Sequence, residues 1–303
     1  MGITQREMVA KADLVVADLI SGGGHLQEEQ VQTFLRMVKD QPTLLHDARR
    51  VNMQSHTREV DKIGFASRIL HPGLEGTALT AAQRSKPTTG KVLLTTSKVQ
   101  AEVNISYETL EDNIEKGNLE QVIMEEMAKQ VALDLEELFV LGDKAHASDD
   151  YLKLQDGVIK QATSHVCPVT GGLDKDTFST GIKAMPSKYL RNRNLFRWYV
   201  SHGNETDYRD SLGDRQTAVG DSLIEGFRGV YHHGIPVVPA AMMPGDKGVL
   251  TRPDNMIWGV WRDIMIETDK DIRAQQYIIV LTMRAGMVLE EKDAIVLLTG
   301  IGS

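Results

Sequence analysis

The chain has 303 residues, 41% hydrophobic and 25% charged, with a net charge of −8, which reads as a globular protein of two compact units or one unit with long extensions. The negative balance argues against a protein whose main task is to grip DNA by its phosphates, though not against a wall that merely surrounds DNA. The single cysteine, Cys167, rules out an intrachain disulfide and a cysteine metal site within one chain, and fits a reducing compartment.

At the start, Met8, Val9, Ala12, Val15, Val16, Leu19 and Ile20 recur every three or four positions and predict a helix over 3–20, ended by Ser21-Gly22-Gly23-Gly24. Arg6, Glu7, Lys11, Asp13 and Asp18 within it argue against a secretory signal, and no apolar run reaches the roughly 18 residues of a membrane span. A second helix is expected over 27–39, with Val31, Phe34, Leu35 and Val38 on one face and Gln41-Pro42 closing it. Two such short helices read as an arm that docks elsewhere.

Residues 51–104 are polar and charged, with glycine or proline recurring at Gly64, Pro72, Gly73, Gly76, Pro87 and Gly90. So few large apolar side chains cannot build a core. Two extended stretches flank the segment, the clearer being Val99, Ala101, Val103 and Ile105 alternating with polar residues, which is a half-buried strand. Composition leaves two readings open: a two-stranded arm with a mobile tip stabilised from outside, or an ordinary hairpin with a long surface loop.

The strongest helix lies at 118–141. Leu119, Ile123, Met127, Val131, Leu135 and Leu138 form its stripe, Glu120, Glu125 and Glu126 suit the N-terminal dipole, and Gly142 follows as a stop. Residues 143–250 read as mixed α/β, with a helix over Asp176 to Met185 and buried strands over Phe196 to Val200 and Ile235 to Ala241. Further strands are expected at Ile257 to Trp261, Ile264 to Glu267, Tyr277 to Met283 and Ala294 to Leu298.

Motifs for chemistry are scarce. Ser21 to Gly24 lacks the Lys-Ser or Lys-Thr of a phosphate loop, and no Gly-x-Ser-x-Gly, His-Glu-x-x-His or calcium loop occurs. His232-His233 is the most tempting pair, but adjacent strand residues point to opposite faces, so the two imidazoles would not converge on a metal unless the turn bends sharply, and a surface or interface role is the expectation. His202 and His165 have no acidic partner at a recognisable spacing, and nothing near Cys167 suggests activation. No catalytic, cofactor or metal residue is assigned. An α/β hydrolase or metal enzyme around His202, His232 or His233 is the remote alternative, because catalytic groups can assemble from distant positions.

Several segments, in order, resemble the major capsid proteins of tailed bacteriophages. VQAEVNISYETLEDNIEKGNLEQVIMEEMAKQVALDLEELFVLGD (Val99 to Asp143) resembles that family's strand, acidic turn and spine helix, and LQDGVIKQA (Leu154 to Ala162) its Asp-Gly segment. MPSKYLRNRNLFRWYVSHG (Met185 to Gly203), GIPVVPAAMMP (Gly234 to Pro244) and IWGVWRDIMIETDKD (Ile257 to Asp271) resemble its later helix-to-strand, Pro-valine and strand-pair segments. The resemblance implies an α+β fold of the Hong Kong 97 type. It implies an N-terminal arm at 1–50, an extended loop at 51–104 lying across a neighbour, and the spine helix of a peripheral domain at 105–142. An axial domain at 143–250, peripheral strands at 251–286 and a return strand at 287–303 would complete it.

The same resemblance implies a structural shell subunit, not an enzyme, forming homo-pentamers and homo-hexamers of an icosahedral virion that encloses double-stranded DNA without sequence-specific binding. Assembly would occur in the host cytoplasm, away from membranes, with portal, scaffold and decoration proteins as further partners. Only about 50 residues precede the loop, so a separate scaffold protein or a region already removed is implied. No cofactor is implied. An encapsulin-like bacterial compartment is the runner-up. The type member links a loop lysine to an asparagine of another subunit; Lys62, Lys86, Lys91 and Asn255 do not match that motif, so unlinked lysines are expected. The loop carries Arg58, Lys62, Arg68, Arg84, Lys86 and Lys91 against few acids, and its expected acceptor is Glu108, Glu111, Asp112, Glu115 and Glu120 near a neighbour's spine.

Overall fold

The computed structural model describes residues 43–65, 68–73, 76, 78–84, 86–108, 119–213 and 229–302. The two helices expected at 3–20 and 27–39 lie outside them. Contacts divide the chain into two compact units, one containing Lys98–Asp134 and Arg262–Arg284, the other Thr43–Ser97, Leu135–Trp261 and Ala285–Ser303.

A short helix α1 (Thr43–Asp47) leads into strand β1 (Arg49–Asn52), and the hairpin strands β2 (Thr57–Gly64) and β3 (Thr88–Thr95) follow. Strand β4 (Ser97–Ser106) comes next, then the long helix α2 (Leu119–Leu141). At ~1.5 Å per residue its 23 residues make a rod of about 35 Å. The helix buries Ala128, Ala132, Leu135, Leu138, Phe139 and Val140. Val131 is only half-buried, so the packed stripe is offset from the one traced through the large residues: small alanines let a neighbour approach closely. Gly142 ends the helix for a reason other than positive φ. A Cβ there would collide with the Leu138 carbonyl and lie 2.5 Å from that of Gln155, because the Gly142 and Gly157 backbones are packed together.

Helix α3 (Val158–Gln161), strand β5 (Val166–Gly171), helix α4 (Lys175–Ala184), strand β6 (Arg197–Val200) and helix α5 (His202–Gly213) follow. Asp174 caps α4 by accepting from the amides of Asp176 and Thr177. Strands β7 (Tyr231–His232), β8 (Ile235–Pro239), β9 (Lys247–Thr251), β10 (Met256–Asp271), β11 (Gln276–Leu289) and β12 (Ile295–Ile301) complete the described chain. Where two strands were expected at Ile257 to Trp261 and Ile264 to Glu267, one continuous strand, β10, is found.

A six-stranded mixed sheet has the order β5-β12-β9-β6-β8-β7. Its core joins Phe178 and Ile182 of α4, Tyr208 of α5 and Trp198, Leu250 and Leu298 of the sheet. A four-stranded sheet has the order β1-β10-β11-β4, with β1 parallel to β10. Strand β4 shows the expected alternation, but it belongs to this sheet, and the hairpin is closed instead by β3. The two-stranded element is therefore shorter than the 51–104 segment read from composition.

Candidate assembly interface

Strands β2 and β3 pair antiparallel from Thr57↔Thr95 to Gly64↔Thr88. Most of their side chains are exposed on both faces. Beyond the paired part, at the tip, Thr80 caps a 3-10 turn at Ala81–Gln83, its amide donating to Gln83 Oε1 at 3.0 Å. Ile63 (77% exposed) and Leu70 (79%) stand out in water, and Phe65, Ile69, Leu79 and Leu93 are exposed with them. Large apolar side chains exposed along one stretch of chain have the composition of a contact surface, whereas scattered ones would need no explanation. Sequence reasoning counted the large apolar side chains of this segment as too few for a core and looked to its charges for contact, so it missed these residues.

The root of the hairpin is held tightly. Leu94 is fully buried against Met53 and Ile257, and Thr96 is buried beside it. The Thr96 amide donates to the His56 carbonyl at 3.0 Å, closing the neck, and the Met53 amide donates to Val260 O at 2.8 Å. Two glycines make room. A Cβ on Gly259 would lie 2.5 Å from Leu94 Cδ2 and 2.7 Å from Met53 Sδ, and a Cβ on Gly286 would collide with the Thr95 carbonyl. Neither glycine was singled out from sequence, although a glycine inside a strand pattern is itself a signal of close backbone approach.

Four of the six cationic residues expected to reach a neighbour already have interactions of their own. Arg58 donates to the Asn52 carbonyl at 2.8 Å, Lys62 pairs with Glu291 at 3.4 Å, and Lys91 pairs with Glu59. Arg84 and Lys86 are exposed at the tip, as is Arg68, which has an interaction of its own. Of the expected acidic acceptors, Glu108 is exposed after β4. Glu111, Asp112 and Glu115 lie outside the described residues, as does the side chain of Glu120 on α2.

Asn255 is a buried clip. Its Nδ2 donates to Thr251 Oγ1 at 3.2 Å and to the Glu291 carbonyl at 3.0 Å, and its Oδ1 accepts from the Glu291 amide at 2.8 Å. It thereby fixes the residue that pairs with Lys62.

His232 corrects an expectation. It is buried, not at the surface: Nδ1 lies 3.0 Å from Tyr208 Oη, Nε2 lies 3.2 Å from Ser179 Oγ, and the ring stacks on Phe178. His233 is not its strand neighbour. With φ 50° at His233 and 82° at Gly234, these two residues form the tight turn between β7 and β8, and the imidazoles meet edge to face at 4.4 Å. Burial, with the His233 charge adding, lowers the His232 pKa to about 4. His202 is exposed at the start of α5. Cys167 is buried, which pushes its thiol pKa up, away from reactivity.

The model of the phage capsid family matches residues 22–300. The chain belongs to the phage capsid family. It is 45% identical over 302 residues to YqbE of Bacillus subtilis (strain 168), described as a prophage capsid protein, with 96% of each chain covered. Among solved structures, a chain of the satellite phage P4 procapsid including the size determination (Sid) protein superposes with a TM-score of 0.69 at 13% identity, covering 98% of both chains. A chain of Mycobacterium phage Cain gives 0.61 at 16% identity over 99% of this chain and 98% of that one. The capsid of a native GTA particle gives 0.61 at 17% identity over 86% and 90%. These likenesses establish the α+β fold of the Hong Kong 97 type. The protein is a major capsid protein, a structural component in its family.

Proposed function

We propose that copies of this chain assemble into the pentamers and hexamers of a closed icosahedral shell that surrounds double-stranded DNA without reading its sequence. The observation that carries this reading is the hairpin. It projects an apolar group, Ile63, Phe65, Ile69, Leu70 and Leu79, that its own chain leaves exposed. Covering one such leucine or isoleucine contributes about 1.5–3 kcal/mol, and the contact repeats at every subunit of a shell.

The domain assignment proposed with it is an N-terminal arm at 1–50, a loop at 51–104, a peripheral domain from 105–142 and 251–286, and an axial domain from 143–250 and 287–303. Arg58, Lys62, Arg68, Arg84, Lys86 and Lys91 form the rim of the loop contact, facing Glu108, Glu111, Asp112, Glu115 and Glu120 of a neighbour. Exposed ion pairs contribute only about 0.2–1 kcal/mol each, so the apolar tip dominates and the charges set the register. The reading also places the protein in the virion after assembly in the host cytoplasm, with portal, scaffold and decoration proteins as partners, and gives it no enzymatic step.

The test replaces Pro72 to Lys86 with a short Gly-Ser linker. The expected protein is soluble, with unchanged helical circular dichroism, and forms no closed shells. Normal particles from the truncated chain contradict the reading.

A further inference from the structure

The turn that leads into β6 is basic and uncovered. Lys188, Arg191 and Arg193 are exposed, and no acidic residue occurs from Met185 to Trp198. Arg191 and Arg193 have no ion pair among the described residues. The surroundings are apolar and aromatic. Leu195, at the end of the 3-10 turn Leu190–Leu195, is 45% exposed, and Tyr231 on the edge strand β7 is 61% exposed. The β7–β8 turn lies beside this segment, since a Cβ on Gly234 would sit 3.7 Å from Asn194 Oδ1. Arginine mixed with tyrosine and leucine is the composition of a protein contact; phosphate contacts alone would not need the exposed Leu195.

Helix α5 offers the complement. Its inner face buries Asn204 and Tyr208, and Arg209 is already paired with Glu205. Asp207 and Asp210, one turn apart, are exposed and have no ion pair among the described residues. Like charges at that spacing on a helix repel. The basic turn and the acidic face each lack a counter-charge among the described residues, and each supplies what the other lacks.

We propose that the basic turn around Arg191 and Arg193 docks on the Asp207–Asp210 face of α5 of a second copy. Two different patches of one chain make a heterologous, head-to-tail contact, which closes rings when the rotation allows. The inference rests on the self-assembly proposed above and adds to it a second contact, separate from the hairpin.

The test is a charge swap in the full chain, with particle yield read by sedimentation and electron microscopy. Arg191→Glu/Arg193→Glu and Asp207→Arg/Asp210→Arg each lower the yield at least about tenfold, and the four changes together restore it to within about threefold, because the complementary pair is rebuilt in reverse. Undiminished yield in either double variant, or no rescue in the combination, overturns the contact. Particles at normal yield that have lost DNA assign the turn to nucleic acid and overturn it as well. If a reversed variant loses thermal stability, Arg191→Gln/Arg193→Gln and Asp207→Asn/Asp210→Asn carry the same test, with a partial loss expected and no loss overturning it. A wild-type chain that forms no particles at all sinks the shell reading itself, and this contact with it.

Discussion

Leu94, the last inward-facing residue of the hairpin, lies so close to Gly259 of β10 that a methyl group on the glycine would come within 2.5 Å of its Cδ2. Gly286 of β11 plays the same part for Thr95, the last residue of β3. The hairpin therefore leaves the body through a socket between two strands, and its direction is set by packing at the root. An apolar tip is useful to a shell only if every copy presents it at the same angle.

Gly259→Ala and Gly286→Ala should each destabilise the fold by about 1–3 kcal/mol, the usual cost of overpacking a dense site. They should also reduce assembly more than an equally destabilising change elsewhere, such as Ile182→Val in the six-stranded sheet's core. Denaturant melts combined with particle yields check this. Equal yields at equal stability would show that the socket has no part in aiming the hairpin.

Leu70→Ser should cost assembly more than Arg84→Gln. The leucine offers about 1.5–3 kcal/mol on being covered, the exposed arginine about 0.2–1 kcal/mol. Salt separates the two as well: screening of exposed charges shortens from roughly 10 Å at 0.1 M to 3 Å at 1 M, so salt should change the arginine's contribution and leave the leucine's intact. Critical concentrations for assembly measure both.

Two buried groups give the monomer opposed pH dependences. Burial raises the Glu136 carboxyl pKa from 4.5 to about 7, against a smaller opposing effect of the Leu44 backbone. The native state then holds a proton that the unfolded chain has lost, so this contribution is full below about pH 4.5 and disappears as pH rises through 7. His232 runs the other way: with its pKa depressed from 6.5 to about 4, its contribution is present above about pH 6.5 and is lost as pH falls toward 4. Between pH 4.5 and 6.5 the two slopes, each up to roughly 1.4 kcal/mol per pH unit, offset one another. Glu136→Gln should leave stability rising with pH in that window, and His232→Asn should leave it falling. Urea melts at a series of pH values decide it, and parallel curves for both variants would contradict the assignment.

Periodicity reveals an element only where one face is buried. Strand β4 alternates along its length and was legible, as was the long apolar repeat of α2. The hairpin strands were not, because TREVDKIG and TTGKVLLT are exposed on both faces and nothing in a solvated strand enforces a period of two. Their apolar residues carry no periodic mark, so composition alone does not separate them from those of an ordinary loop. His232 was misplaced because the pair His232-His233 was treated as adjacent strand residues, whereas His233 and Gly234 make the turn between two short strands, and a residue followed by glycine between extended stretches is a turn signal. Gly259 and Gly286 carried a readable mark, but which backbone comes close to them is a matter of tertiary structure.

The central claim, that this chain closes into a shell through its hairpin, is tested most directly by electron microscopy of the purified full-length protein beside the Pro72–Lys86 replacement. The account predicts closed particles built of pentamers and hexamers for the first, with each hairpin tip covered by a neighbouring copy, and only small soluble species for the second. Full-length particles whose Ile63, Phe65 and Leu70 face solvent, or identical particles from both proteins, would contradict it.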